Sequence, residues 1–251
     1  MHFLLTNDDG VDAPGLSALH QSVSDFIRNN AVWASAKLTV VAPDRGRSEC
    51  GHSVTTGHDL ELKQIREGWY SLNGTPVDCV RVALATVSTD VTAVFSGINQ
   101  GANVGVDLFV SGTFAAAREA TIMGHPAIAI SHYRRPEITK SWDHASQWLT
   151  RPLEMWLEQL QQSQDNSTPP LWNLNLPAID PAGPLPEIAE CLVETQPMVR
   201  EAQLHTVSNS NSVHRVAMTS DFHGRPRAPG SDVDQCFGGR ISISKLTPHV
   251  T

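Results

Sequence analysis

Over the first two-thirds of the chain, short β-branched and aliphatic runs alternate with helix-period segments. This is the rhythm of βαβ units around a parallel sheet. Residues 3–5 are read as the first strand. Pro14, then Leu16, Leu19, Val23, Phe26 and Ile27 at three- and four-residue steps, predict an amphipathic helix that starts on a proline. Residues 38–41 are the second strand. Residues 53–56, 60–65 and 69–72 read as extended pieces around polar turns, a small antiparallel insertion beside the main sheet. Pro76 opens a helix to about residue 86, residues 91–95 form a compact apolar strand, and the Ala-rich stretch 113–123 is a helix that stops at Gly124. Residues 127–130 supply another buried strand.

Trp142, Ala145, Leu149, Leu153, Trp156 and Leu160 keep helical spacing, with Pro152 marking a kink or a break between two helices. The tryptophans 142, 148 and 156 in this stretch are read as core or subunit contacts. Residues 163–170 form a polar, proline-ended connector. Strand-like runs then occur at 171–176, 213–218 and 241–246, separated by loops rich in Gly and Pro. The expected organisation is one domain over 1–251, with a core in 1–170 and a C-terminal appendage in 171–251. Its class is α/β, with a mostly parallel sheet between helices.

Composition narrows the partners. The 18 Lys and Arg against 26 Asp and Glu leave a formal charge of −8, which disfavours a nucleic-acid polymer or an anionic membrane as partner. No segment approaches the roughly 20 apolar residues of a membrane span. The cysteines at 50, 79, 191 and 236 form no C-x-x-C pair, so neither a zinc knuckle nor a small disulfide framework is indicated. With an N-terminus that lacks the features of a secretory leader, a cytoplasmic location is expected.

In an open α/β sheet, ligands bind at the carboxyl ends of the strands, and the residues there are polar. Asn7-Asp8-Asp9-Gly10 follow the first strand and Pro43-Asp44-Arg45-Gly46-Arg47-Ser48 the second. Ser96-Gly97-Ile98-Asn99 follow the third, with Gly101, Asn103, Gly105 and Asp107 close behind. Adjacent carboxylates repel each other and are held ionised together most cheaply by a cation. With a Ser hydroxyl and an Asn carbonyl the donors are all oxygen, which suits Mg²⁺ or Mn²⁺ better than zinc. Asp8 and Asp9 could instead cap the following helix.

Ser111-Gly112-Thr113 stand immediately before the Ala-rich helix. Free N–H groups, two hydroxyls, a glycine and the positive helix end together make a phosphate cradle, although Ser before a helix is also an ordinary N-cap. A cation loop and a phosphate loop on one rim point to phosphate-ester chemistry. Arg45 and Arg47 could neutralise a phosphate, or simply lie in a solvated loop. His52, His58 and His132 fall near strand ends and could titrate near neutrality. The chain lacks G-x-x-x-x-G-K-[ST], G-x-G-x-x-G after a strand, and G-x-S-x-G. An ATP-driven motor, a dinucleotide oxidoreductase and a serine esterase are therefore unsupported.

Asn7-Asp8-Asp9-Gly10 with Ala13-Pro14-Gly15, then Val41-Ala42-Pro43-Asp44-Arg45 leading to Arg47-Ser48 and Gly51-His52-Ser53, resemble the opening motifs of the SurE survival-protein family of nucleotidases. The likeness continues through Asn73-Gly74-Thr75-Pro76, Asp78-Cys79-Val80, Ser96-Gly97-Ile98-Asn99 and Ser111-Gly112-Thr113, covering about residues 1–130. It weakens between about 133 and 225. Thr6 replaces an expected Ser, Val110 stands where the family commonly has Tyr, and Arg118 enters the helix behind the phosphate loop.

The resemblance implies a Rossmann-like domain with a smaller C-terminal oligomerisation portion, forming a homodimer or homotetramer. It implies one divalent ion per subunit, Mg²⁺ or Mn²⁺, on Asp8, Asp9, Ser48 and Asn99, and phosphate contacts at Asn99, Ser111, Gly112 and Thr113. The activity implied is hydrolysis of nucleoside 5′-monophosphates, with 3′-monophosphates as a further class. Either of Asp8 and Asp9 could accept the attacking water's proton. The alternatives are a broad acid phosphatase or exopolyphosphatase on the same site, and a non-catalytic metal-dependent nucleotide-binding stress protein.

Overall fold

The computed structural model describes residues 1–48, 50–162, 168–206 and 214–248. In chain order the strands are β1 (His2–Thr6), β2 (Lys37–Pro43), β3 (Leu62–Arg66), β4 (Trp69–Leu72), β5 (Ala93–Gln100), β6 (Ala127–His132), β7 (Leu171–Leu176), β8 (Ile188–Glu190), β9 (Arg200–Thr206), β10 (His214–Ser220) and β11 (Ile241–Leu246). The helices are α1 (Pro14–Asn29), α2 (Pro76–Val82), α3 (Gly112–Ile122), α4 (Ala145–Gln162) and α5 (Asp232–Phe237). Nine strands form one sheet in the order β3-β4-β2-β1-β5-β6-β7-β11-β8, and β9 and β10 form a separate two-stranded ribbon. The run β4-β2-β1-β5-β6-β7 is parallel throughout. Antiparallel pairing enters at β3 and where β11 lies against β7.

The central strands β1, β5, β6 and β7 are buried on both faces, as their continuous apolar runs dictate, while the edge strands β3 and β8 are half-buried to exposed. In β1 the side-chain alternation sorts Phe3 and Leu5 to one face and Leu4 to the other. The first face receives Leu16, Leu19 and Val23 of α1 with Trp148, Leu149, Leu153 and Trp156 of α4. The second receives Val80 of α2 and Ala116, Ala117 and Ala120 of α3. Small residues on α3 let it lie close to the sheet, which fixes the position of its N-terminus.

Several sequence expectations change in detail. Residues 53–56 form a loop rather than a strand, because Thr55 donates through both its N–H and its hydroxyl to Asp78 (3.0 and 2.6 Å) instead of pairing with a neighbour. The antiparallel insertion is the edge of the main sheet itself, since β4 pairs in parallel with β2. Pro152 lies inside one continuous α4, buried against the core, so there is no break into two helices. Trp148 and Trp156 are core residues, while Trp142 is only partly buried and precedes the helix. The segment 171–251, expected as an appendage, contributes β7, β11 and β8 to the sheet. The 163–167 part of the connector and residue 213 of the strand expected at 213–218 lie outside the described residues.

Candidate active site at the carboxyl ends of β1, β2 and β5

The turn after β1 is closed by its own first residue. Asn7 Nδ2 donates to the Gly10 carbonyl at 2.9 Å and Asn7 Oδ1 accepts from the Gly10 N–H at 3.3 Å. Gly10 sits at φ 103°, a conformation that a side chain would strain. The Val11 N–H then bonds the Pro43 carbonyl at 2.8 Å, and the Arg47 N–H bonds the Asp8 carbonyl at 2.7 Å. The β1 and β2 loops are thereby stitched together, with Ser48 one residue beyond the stitch.

Asp8 is 4% exposed. Its Oδ1 accepts the Thr113 hydroxyl at 2.5 Å, and Thr113 is fully buried at the start of α3. Gly112 is required by space. A Cβ there would stand 2.9 Å from the Asp8 Cβ and 3.0 Å from its Oδ2, so the chain can bring the helix N-terminus onto the carboxyl only without a side chain. Burial pushes the Asp8 carboxyl up to about 6, the Asp9 charge adds to the rise, and the Thr113 hydrogen bond opposes it. Asp9 is half-buried, and its Oδ2 accepts the Gln100 N–H at 3.2 Å, which joins the β1 turn to the end of β5. Next to Gln100, Asn99 is half-buried and donates through Nδ2 to the Gly101 carbonyl at 2.9 Å, leaving Oδ1 as its acceptor end.

Asp8, Asp9, Asn99, Ser111, Gly112 and Thr113 thus lie on one connected rim, and Ser48 stands on the exposed part of the β2 loop. Ser111 is the N-cap of α3, its Oγ accepting the Phe114 N–H at 3.0 Å, and the helix end it caps faces Asp8. Arg47 is committed elsewhere, to Asp44 Oδ1 at 3.0 Å and the Asn73 carbonyl at 3.1 Å, whereas Arg45 and His58 are exposed.

His132 does not titrate near neutrality. Burial and the nearby Arg134 push its imidazole down to about 3. Its Nδ1 faces the Tyr133 carbonyl at 2.8 Å and must carry the proton, so its Nε2 accepts from His144 Nε2 at 2.7 Å. It is one half of a neutral histidine pair beneath Trp142 and Trp148.

The donor set fits a hard divalent cation. Among the described residues no Lys, Arg or His forms an ion pair with Asp8 or Asp9, so a buried carboxyl with a second one beside it has no fixed counter-charge. No cluster of three or more His, Cys, Asp or Glu occurs among the described residues. The carboxylates of the candidate centre are therefore two, Asp8 and Asp9, a number that a hard oxygen-seeking cation with water in its remaining positions tolerates.

A family model described as Survival protein SurE matches residues 3–199. The chain belongs to the SurE family. It is 40% identical over 261 residues to a Neisseria meningitidis serogroup A protein named 5′-nucleotidase SurE, covering 100% of this chain and 94% of that one. A Synechocystis sp. protein named as a candidate 5′-nucleotidase is 39% identical, covering 98% and 99%. Among solved structures, the SurE protein of Aquifex aeolicus superposes with a TM-score of 0.80 at 25% identity, covering 100% of this chain and 95% of that chain. The mixed α/β architecture with its mostly parallel sheet is that of the SurE family.

One network behind this SurE-like rim escaped sequence reasoning. His52 meets Arg118 and Glu119, the latter 67 positions away in the chain, and Arg81 bonds Glu119 in turn. No local spacing relates them; only the packing of α2 and the β2 loop on α3 brings them together.

Proposed function

We propose that this SurE-family chain is a divalent-cation-dependent 5′-nucleotidase that hydrolyses nucleoside monophosphates to nucleoside and phosphate. The observation that carries the reading is the approach of Asp8 to the N-terminus of α3, with Thr113 Oγ1 at 2.5 Å and no room for a side chain at Gly112. A carboxylate pair and a helix N-terminus so close serve the two halves of a bound phosphate ester, its cation and its phosphoryl oxygens. Full-length relatives named 5′-nucleotidases support the choice of ester.

In this reading Asp8, Asp9, Ser48 and Asn99 hold one Mg²⁺ or Mn²⁺. When bound, such a cation polarises a phosphoryl oxygen and lowers the pKa of a water. The N–H groups at the start of α3 and the Ser111 hydroxyl receive the phosphoryl oxygens as negative charge builds, while the Thr113 hydroxyl gives its one proton to Asp8 Oδ1. Thr113 also fixes the orientation of Asp8. Either of Asp8 and Asp9 can take the proton of the attacking water.

The exposed Leu204, Val216 and Met218 on the β9–β10 ribbon support a homodimer or homotetramer. Four free cysteines support a reducing compartment, and among the described residues no helix is long and apolar enough to cross a membrane.

The test is inorganic phosphate released from 5′- and 3′-nucleoside monophosphates and p-nitrophenyl phosphate, with EDTA and with Mg²⁺ or Mn²⁺ restored. Release strongest on 5′-nucleotides, abolished by EDTA and regained with metal, is the expected result. Release indifferent to EDTA overturns the cation; equal rates on every ester overturn the nucleotide preference in favour of a broad phosphatase.

A further inference from the structure

The loop that carries Ser48 is clamped on its far side by a chain of four ionisable side chains. His52 Nε2 lies 2.8 Å from Glu119 Oε2, and Glu119 Oε1 accepts from Arg81 Nε at 2.6 Å. Arg118 Nε and Nη2 lie 3.1 and 2.8 Å from His52 Nδ1. A guanidinium can only donate, so Nδ1 accepts, and the ring proton must sit on Nε2, where it is given to Glu119. The ring is therefore held in both orientation and rotation. Glu119 is 3% exposed and belongs to α3, the helix whose first residues are Ser111, Gly112 and Thr113. On the near side, Arg47 ties the same loop to Asp8 and to Asn73. Ser48 is exposed between these two anchors, and a loop hydroxyl donates usefully to a cation only if its backbone is held.

We propose that His52 is a positioning residue for the cation site, locking the Ser48 loop onto the phosphate-cradle helix through Glu119 with Arg118 setting its tautomer. The inference rests on the cation reading given above. Groups that orient ligands from behind typically change metal affinity about 10- to 100-fold when removed. Arg118 gives this chain a donor on the helix behind the phosphate loop that the family resemblance does not lead one to expect.

The experiment is Mn²⁺ binding to the full chain, read from the electron paramagnetic resonance signal of free Mn²⁺, with circular dichroism melts as the folding control. His52→Ala is expected to weaken binding about tenfold, and Ser48→Ala by at least as much. The double variant should be no weaker than Ser48→Ala alone, because His52 acts through Ser48. His52→Gln, whose amide N–H₂ can reach Glu119, should recover most of the loss. A His52→Ala variant that binds Mn²⁺ like the wild type, or losses that multiply in the double variant, would overturn the inference while leaving the cation site standing. A folded wild type that takes up no Mn²⁺ overturns the cation reading and this inference with it. Should His52→Ala fail to fold, Arg118→Met decides on the same readout: weaker binding is expected, and unchanged binding overturns the clamp.

Discussion

Asp8, just beyond β1, and His132, at the end of β6, lie at the carboxyl ends of one sheet with β5 between them; both are buried, and burial drives each toward its neutral form, the carboxyl up to about 6 and the imidazole down to about 3. Their surroundings then diverge. His132 is satisfied by a carbonyl and a second histidine, a closed neutral pair. Asp8 has another carboxylate next in sequence, no cationic partner among the described residues, and the positive end of α3 against it. A perturbed titratable group at a strand end is thus a weak signal by itself; the charge its neighbours leave uncompensated separates a candidate site from a structural group.

The contrast can be broken most directly at Asp8. Asp8→Asn is expected to lower kcat/KM for a nucleoside monophosphate at least about 100-fold, with a melting temperature equal to or above the wild type, since a buried carboxylate without a fixed cation is removed. Activity kept within about tenfold in a phosphate-release assay would place the site elsewhere. Next in size is Gly112→Ala. Its Cβ would meet the Asp8 side chain at 2.9 Å, so a loss of about 1–3 kcal/mol in urea unfolding is expected, together with reduced phosphate release.

The histidine pair predicts a pH effect on stability with a definite sign. The folded-state pKa of His132 is depressed below its unfolded value of 6.5, so below about pH 6.5 the unfolded chain takes up the proton first. Stability therefore falls as pH drops from about 6.5 toward about 3, with a slope of up to about 1.4 kcal/mol per pH unit from this group. Urea midpoints measured across that window should show the slope, and His132→Gln should flatten it while phosphate release at pH 7.5 stays within severalfold of the wild type. The smallest effect belongs to Arg45. It is exposed on the β2 loop, so Arg45→Ala should leave KM for AMP within about twofold, and a larger rise would restore it as a phosphate contact.

The readable parts of the sequence were those where one residue type has one physical use. Continuous apolar runs marked the parallel strands β1, β2, β5, β6 and β7, and Asp8-Asp9 and Ser111-Gly112-Thr113 were legible because strand ends and helix starts concentrate polar groups. The short β8 and the six-residue α5 carry too few apolar positions to show a period. The exposed β9 has no buried stripe to mark it. Residues 53–56 look extended because they are β-branched and polar, yet Asp78 takes the hydrogen bonds of Thr55, and the Ser53 N–H turns back to the Cys50 carbonyl. The bond from Thr113 to Asp8 and the clamp around His52 depend on contacts across 105 and 67 positions respectively, a separation at which no local pattern survives.

The order of the sheet has a consequence for how the chain is made. β11 lies between β7 and β8, although it is synthesised after both. Until it emerges, the edge of β7 presents unpaired N–H and C=O groups beside a nearly finished parallel sheet. From Leu176 to Ile241 a ribosome working at about 5–20 residues per second needs roughly 3–13 s, and for that interval the nascent protein carries an open edge competent to pair with another chain. The last strand therefore acts as the closing seam of a sheet otherwise ready to aggregate, and any defect that delays it should show first as insoluble product in the cell.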